Sequence, residues 1–204
     1  MVSVYQLKSR FQSLLRPLVK ALAKAGVTAN SVTVAAIALS AATGVLCLWV
    51  TDPQVLYLLP VCLFARMALN AVDGMLAREH DQKSVLGGFL NELGDVVSDV
   101  FLYAPLALRP EFPFWPTLLL CFVGVLTEFT GVVAVAQGGS RRYDGPMGKS
   151  DRAFLFGAVG LVLGYGISGF LWVSALIWLG VVLGLVTVAR RVGQTLEEIE
   201  SCSK

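Results

Sequence analysis

Eight charged or amide side chains, Arg66, Asn70, Asp73, Asn91, Glu92, Asp95, Asp99 and Glu128, stand inside long apolar stretches of this sequence. Carrying a charge to the centre of a bilayer costs at least about 2.5–3.5 kcal/mol on insertion scales, so such residues mark function or pairing. On a helix, Arg66, Asn70, Asp73, Gly74 and Ala77 share one face, and Gly87, Asn91, Asp95 and Asp99 recur every four residues on another. Helical rise puts Asp73 about 7 Å, Asn70 about 12 Å and Arg66 about 18 Å from the end of their stretch at Arg78. Asn91 and Asp95 lie about 10 and 16 Å in from Ser84, and Glu128 about 15 Å back from Gly138. Three helices thus present polar groups at one level, which predicts a hydrated cavity open to one side of a membrane. Interhelical polar contacts are the plainer alternative. A proton relay through a transporter is another use of buried Asp, Glu and Arg, but no pair of broken helices at matching places in two halves supports it. Gly74, Ala77, Gly87 and Gly88 lie on or near the polar faces, where small residues let a ligand or a helix reach the backbone.

These faces need membrane helices to hold them. The 204 residues are 56% hydrophobic and 15% charged, a membrane composition. A crossing takes roughly 20 apolar residues. Spans are predicted at 31–50, 55–78, 84–108, 114–138, 152–169 and 171–190, broken by Asp52-Pro53, by Pro110 to Pro113 and by Gly164 to Gly169. No long polar segment remains, so one domain is expected over 1–204, with 1–27 an amphipathic juxtamembrane segment and 31–190 a six-helix bundle. Within 3–24, Val4, Leu7, Phe11, Leu14, Leu15, Leu18 and Leu22 recur at helical spacing, and Lys8, Arg16, Lys20 and Lys24 lie around the other side. A basic helix of this kind suits an anionic membrane surface, with a kink at Pro17. It is too long for the charged leader of a signal peptide. The expected fold is therefore an all-α membrane protein, six transmembrane helices preceded by an amphipathic interfacial helix. With six spans, all of the sixteen lysines and arginines except Arg66 and Arg109 fall on one side. By the positive-inside tendency that side is the cytoplasm, with both termini in it. Cys47, Cys62, Cys121 and Cys202 form no CxxC pair and read as single thiols, and His80 is a lone loop histidine.

Residues 70–78 read NAVDGMLAR; eight residues follow, and 87–95 read GGFLNELGD. This resembles the motif of the CDP-alcohol phosphotransferases, DxxDGxxAR, about eight residues, then GxxxDxxxD. Asp73, Gly74, Ala77, Arg78, Gly87 and Asp95 match it, while Asn70 and Asn91 stand where the family has its first and third aspartates. TANSVT at 28–33 is similar to the family's TPNxxT, with Ala29 for proline. The six-helix layout is also similar.

The resemblance implies transfer of a phosphatidyl or related phosphoryl group from a CDP-linked donor, such as CDP-diacylglycerol, to an alcohol acceptor, with release of CMP. It implies Mg2+ or Mn2+ held at Asn70, Asp73, Asn91 and Asp95, with Asp95 as general base. Gly74, Ala77, Arg78 and Gly87 would contact the donor. It implies a homodimer among membrane lipids, in a bacterial inner membrane, without nucleic acid. The chemistry suits these residue types, because hard divalent ions with oxygen ligands neutralise a diphosphate under attack. The two asparagines leave about two negative charges where a four-aspartate site has about four, so one ion is expected in the free protein, or metal that binds well only with the donor. Glu92 points about 100° away from Asn91 and is a poor replacement. Asp99, one turn beyond Asp95, is the alternative base. A member that has lost catalysis and binds CDP-lipid or nucleotide as a partner is the competing function. The loop RRYDGPMGKSDR at 141–152 is plain positive-inside charge on one reading. On the other, Arg141, Arg142, Lys149 and Arg152 hold a phosphate on the acceptor, since phosphorylated-acceptor members of the family have a similar basic pocket.

Overall fold

The computed structural model of the chain describes residues 4–167 and 169–202. Among the described residues seven α-helices follow in order: α1 (Val4–Lys24), α2 (Ala29–Trp49), α3 (Leu58–Glu79), α4 (Val85–Tyr103), α5 (Phe114–Ala136), α6 (Lys149–Gly164) and α7 (Phe170–Cys202). Short 3-10 turns occupy Pro53–Tyr57 and Ala104–Leu108. No strand occurs among the described residues, in line with the all-α expectation. The expected helix start at residue 3, the side chains of Val4, Leu7 and Lys8, and the tail at Lys204 lie outside the described residues.

Local chemistry sets the helix ends. α1 runs through Pro17 as one helix. It closes at Gly26, whose φ of 76° suits glycine, and the N–H of Val27 reaches back to the carbonyl of Leu22 at 3.0 Å. Pro105 has no N–H to continue α4, so the run expected as one helix over 84–108 is a helix followed by a turn. α7 has 33 residues and is about 50 Å long, well past the expected end at 190. Its last turns are polar but rich in Arg, Gln, Leu and Glu, all good helix formers.

Four stretches among the described residues are long and apolar enough to cross a membrane: Ala29–Trp49, Pro53–Glu79, Phe114–Ala136 and Phe170–Cys202. α4 has the length, but Glu92, Asp95 and Asp99 interrupt its apolar run. α6 has 16 residues and spans about 24 Å, less than a hydrocarbon core of about 30 Å. By length and composition, then, four of the six expected spans stand. Phe64, Phe89, Leu93, Phe122, Phe129 and Phe154 are each more than half exposed, a surface that lipid rather than water would cover.

The chain divides into two compact units, one within Met1–Ala42 and Cys62–Ser98, the other within Thr43–Val61 and Asp99–Lys204. In the first, Val19 of α1 joins Val32 of α2 and Val72, Met75 and Leu76 of α3 in a buried core, with Leu15 and Leu22 packed against it. Leu14 and Leu18 stay 76% and 50% exposed. α1 therefore has three sectors: one on the core, one apolar and open, one basic. Its Arg16 forks onto Glu79 at the end of α3, with bonds of 2.9 and 3.2 Å. That carboxylate holds the guanidinium above its usual pKa.

In the second unit α5, α6 and α7 pack together and against the two 3-10 turns. Small residues allow it: a Cβ on Gly160 of α6 would lie 2.9 Å from the carbonyl of Leu56, and one on Gly184 of α7 would lie 2.5 Å from Val123. Arg109 is 4% exposed. Its guanidinium donates to the carbonyls of Cys47, Val50 (2.6 Å) and Thr51 (3.3 Å) and forks onto Glu111 at 2.8 and 3.1 Å. The last carbonyls of a helix have no internal partner and carry partial negative charge, so a cation is well placed at this end of α2. Arg109→Ala would strand Glu111 and those carbonyls and should cost about 3–5 kcal/mol, the usual loss when one partner of a buried pair is removed. Thermal unfolding in detergent checks this. An unchanged midpoint would contradict the clamp.

Candidate active site

The first unit contains a cavity of about 490 Å3. The C-terminal turns of α3 supply Asp73, Gly74, Ala77 and Arg78, and the start of α4 supplies Gly87, Gly88 and Asn91. The i, i+1, i+4 and i+5 spacing of the first set and the i, i+4 spacing of the second bring them to one side of each helix. The N-terminus of α2 closes another wall with Ala29, Asn30 and Thr33, and the α3–α4 loop adds Gln82, Lys83 and Ser84. Asp73 is the deep group, 5% exposed, whereas Arg78 and Lys83 are exposed. The hydroxyl of Thr33 donates to Asp73 Oδ2 at 2.8 Å.

Glycine gives room where the walls approach most closely. A Cβ on Gly87 would lie 2.9 Å from Asn30 Oδ1 and 3.0 Å from Ser84 Oγ. A Cβ on Gly74 would lie 3.0 Å from Arg78 Nη2, so the guanidinium folds back over the glycine. Gln82 ties the loop to α2: its Oε1 accepts from the N–H of Ala29 at 2.7 Å, and its Nε2 donates to the carbonyl of Val27 at 3.4 Å. The positive end of α2 is thereby fixed at the cavity, beside two exposed cations, an arrangement suited to phosphate oxygens.

Asn70 and Asp95 are outside the cavity's lining and are joined to each other. Asn70 Nδ2 donates to Asp95 Oδ1 at 3.2 Å. Only the amide nitrogen can make this bond, because an ionised carboxylate accepts and never donates. An aspartate at 70 would instead set a second negative charge against Asp95. Asp99, expected on the same row, pairs with Arg152 in the second unit at 3.2 Å. Residues four apart drift about 40° per step around a helix, so a row of four does not hold one face.

Among the described residues, no group of three or more His, Cys, Asp or Glu stands together as a metal site. The donors available are oxygens: the carboxylates of Asp73 and Asp95 and the amide oxygens of Asn70 and Asn91. That set fits a hard divalent ion which completes its shell with oxygens from a bound phosphate. Thr33, Asn30, Gln82, Lys83 and Ser84 were not legible as site residues. Asn30 and Thr33 stood only within TANSVT, and loop residues follow no period.

Three cations of the basic loop, Arg141, Arg142 and Arg152, meet carboxylates. Arg152 is 2% exposed and donates to Thr127 Oγ1 at 2.9 Å, Asp99 Oδ2 at 3.2 Å and Glu128 Oε1 at 3.4 Å. Arg141 reaches Glu128 Oε2 at 3.3 Å, and Arg142 pairs with Glu198. Lys149 is half-buried at the start of α6. The carboxylates that meet the three arginines are carried by α4, α5 and α7, which loop charge counts leave out.

Asn70→Asp should destabilise the metal-free protein by on the order of 2 kcal/mol, from two carboxylates about 3 Å apart. Added Mn2+ should reverse the loss. Thermal unfolding of both forms with and without Mn2+ tests this; a variant as stable as the wild type without metal would contradict it.

Residues 26–186 match the CDP-alcohol phosphatidyltransferase family. The chain is similar to the Inner membrane protein YnbA of Escherichia coli (strain K12), 51% identical over 162 residues that cover 79% of this chain and 81% of that one. Its fold is similar to that of Mycobacterium tuberculosis phosphatidylinositol phosphate synthase, PgsA1. The crystal structure of PgsA1 with CDP-DAG bound gives a TM-score of 0.74 at 20% identity, covering 88% of this chain and 92% of that one. The PgsA1 structure in complex with manganese and citrate gives 0.73 at 20% identity, covering 88% of each. With four apolar helices of spanning length and an inner-membrane relative, this is a multi-pass membrane protein. On the match through most of its length, the chain belongs to the CDP-alcohol phosphatidyltransferase family.

Proposed function

We propose that this protein transfers a phosphatidyl or related phosphoryl group from a CDP-linked donor such as CDP-diacylglycerol to an alcohol, releasing CMP, in phospholipid biosynthesis. The observation that carries the reading is that Asp73, Gly74, Ala77, Arg78, Gly87 and Asn91, written in one motif, line one cavity in a chain of this family. The PgsA1 structure with CDP-DAG bound supports the donor class.

In this reading Arg78, Lys83 and the N-terminus of α2 hold the donor diphosphate, and Gly74, Ala77 and Gly87 give it room against the backbone. Asp73 and Asn91 hold Mg2+ or Mn2+, with Asn70 and Asp95 as the other members of the set. The bound ion supplies charge neutralisation for the diphosphate and the departing CMP. The acceptor oxygen attacks the lipid-side phosphorus, and the bond from that phosphorus to CMP breaks. The hydroxyl proton passes to Asp95, which the Asn70 amide keeps in place.

The family match over 26–186 runs through both units and supports a single domain over 1–204. We place six helices, α2 to α7, across a bacterial inner membrane, with α1 at the interface on its open apolar sector. Trp49 at the end of α2, Trp115 at the start of α5 and Tyr165 at the end of α6 are 79%, 75% and 73% exposed. They form an aromatic belt at the helix ends away from the basic loops. Both termini are then cytoplasmic, and the active form is a homodimer. A second reading, a member that binds CDP-lipid without turning it over, draws on Asn70 and Asn91 and on the lack of a three-carboxylate group among the described residues.

Release of radiolabelled CMP from CDP-diacylglycerol, against a panel of alcohols, separates the two. Transfer predicts release with at least one acceptor and a loss of about 10²–10⁴-fold in Asp95→Asn, with membrane insertion unchanged. Donor binding with no release from any acceptor would favour the second reading. The topology predicts a cytoplasmic signal from a reporter at the C-terminus and a periplasmic one from an insertion at Pro110. The reverse would remove the six-span layout.

A further inference from the structure

Three glycines line the cavity of the first unit, and the protein itself accounts for two of them. The Arg78 guanidinium folds over Gly74, and Asn30 and Ser84 crowd Gly87. Gly88 is different. A Cβ built on it would meet nothing within 4 Å beyond its own turn of backbone. It lies inside α4, with its N–H donating to the carbonyl of Ser84 at 3.1 Å. Its φ is outside the left-handed region that favours glycine. Neither packing nor chain geometry therefore asks for glycine here, and glycine is the least favourable helix residue after proline. A helix wall left bare at such a cost has a use where a ligand lies against the backbone.

The lining says what kind of ligand. Apart from glycine and alanine, each lining residue is polar or charged. Among the described residues no Val, Leu, Ile, Met or aromatic side chain lines the cavity. An acyl chain would gain no contact with large apolar side chains there. An anionic group has the exposed cations Arg78 and Lys83. On α4, Ser84 stands one turn before Gly88 and Asn91 one turn after it, and both line the cavity. A polar group that spans those two side chains along the helix crosses the Cα of Gly88. The volume of about 490 Å3 suits a small molecule with such a group.

We propose that Gly88 determines what the cavity admits: it keeps the α4 wall clear for the nucleotide end of the donor, whose sugar–phosphate part lies on its Cα. That this nucleotide is the CDP of a CDP-linked donor rests on the transferase reading above. An alanine here sets a methyl group in the ligand's place and touches nothing else in the protein. It should improve the helix and worsen the site, an opposition that a purely structural glycine does not produce. Gly193 of α7, in the second unit, is also helical with nothing within 4 Å of a built Cβ. It supplies the control for a glycine that its helix merely tolerates.

Two measurements on the detergent-purified full chain decide it. Thermal unfolding without ligand compares wild type, Gly88→Ala and Gly193→Ala. Both variants should unfold at or above the wild-type midpoint. A lower midpoint for Gly88→Ala would show that the protein itself needs the glycine, and would overturn the proposal. Calorimetric titration with CDP and with CDP-diacylglycerol, each with Mn2+ present, then reads affinity. Gly88→Ala should weaken both by the same factor, about ten- to a hundredfold, the usual effect of an extra carbon in a filled space. Gly193→Ala should bind as wild type does; a loss as large there would mark a general effect and overturn the proposal. Equal affinity of Gly88→Ala and wild type for CDP also overturns it. So does a loss confined to CDP-diacylglycerol, which would put the lipid part on Gly88. A wild type that binds neither ligand removes both this assignment and the CDP-donor reading. A wild type that binds CDP but releases no CMP with any alcohol counts against transfer alone, and the CDP affinity of Gly88→Ala still decides on Gly88.

Discussion

A guanidinium or carboxylate folded among apolar helices has to find its counter-charge within a few ångströms, because neither lipid nor aliphatic side chains will solvate it. Much of this molecule follows from that constraint. Arg109 has carbonyls at the end of α2 and the carboxylate of Glu111. Arg152 has Asp99 and Glu128, and Glu128 in turn has Arg141 and Arg191. Gly124 and Gly131 of α5 serve the same end, since a side chain at either would push a guanidinium off its carboxylate.

Asp73 is nearly buried and is answered by a hydroxyl, from Thr33, and Asp95 is answered by an amide, from Asn70. A neutral donor stabilises a carboxylate without cancelling its charge. Two carboxylates with two amides are a weaker electrostatic trap than four carboxylates would be. Such a site relies on the ligand to complete the ion's shell. In the proposed reading the donor diphosphate would be part of the metal site, and the two binding events would be coupled.

How much of this could be read beforehand differs by element. The i, i+4 rule placed Asp73, Gly74 and Ala77 on one face and Gly87 with Asn91 on another, and the cavity joins them, with Arg78 added and with Arg66, Asn70 and Asp95 left out. The same rule carried to Asp99 misleads, because the drift over three steps turns it toward Arg152. Apolar runs located α2 to α7, but they measure membrane thickness rather than helix length. Hence α7 continues to Cys202 and the run over 84–108 bends at Pro105. The pairing of the basic loop was invisible because Glu128 lies about a dozen residues before it and Glu198 far after it. Net loop charge says nothing of partners that arrive through tertiary packing. Gln82 as the cap of α2 was hidden for the same reason.

The central claim is that donor and divalent ion bind this amide-containing site as a unit. Calorimetric titration of Mn2+ into detergent-purified protein, alone and with saturating CDP-diacylglycerol, tests it directly. The account predicts weak binding alone and tight binding with the lipid, and linkage then requires Mn2+ to tighten lipid binding by the same factor. Tight Mn2+ binding by the protein alone, unchanged by CDP-diacylglycerol, would contradict it.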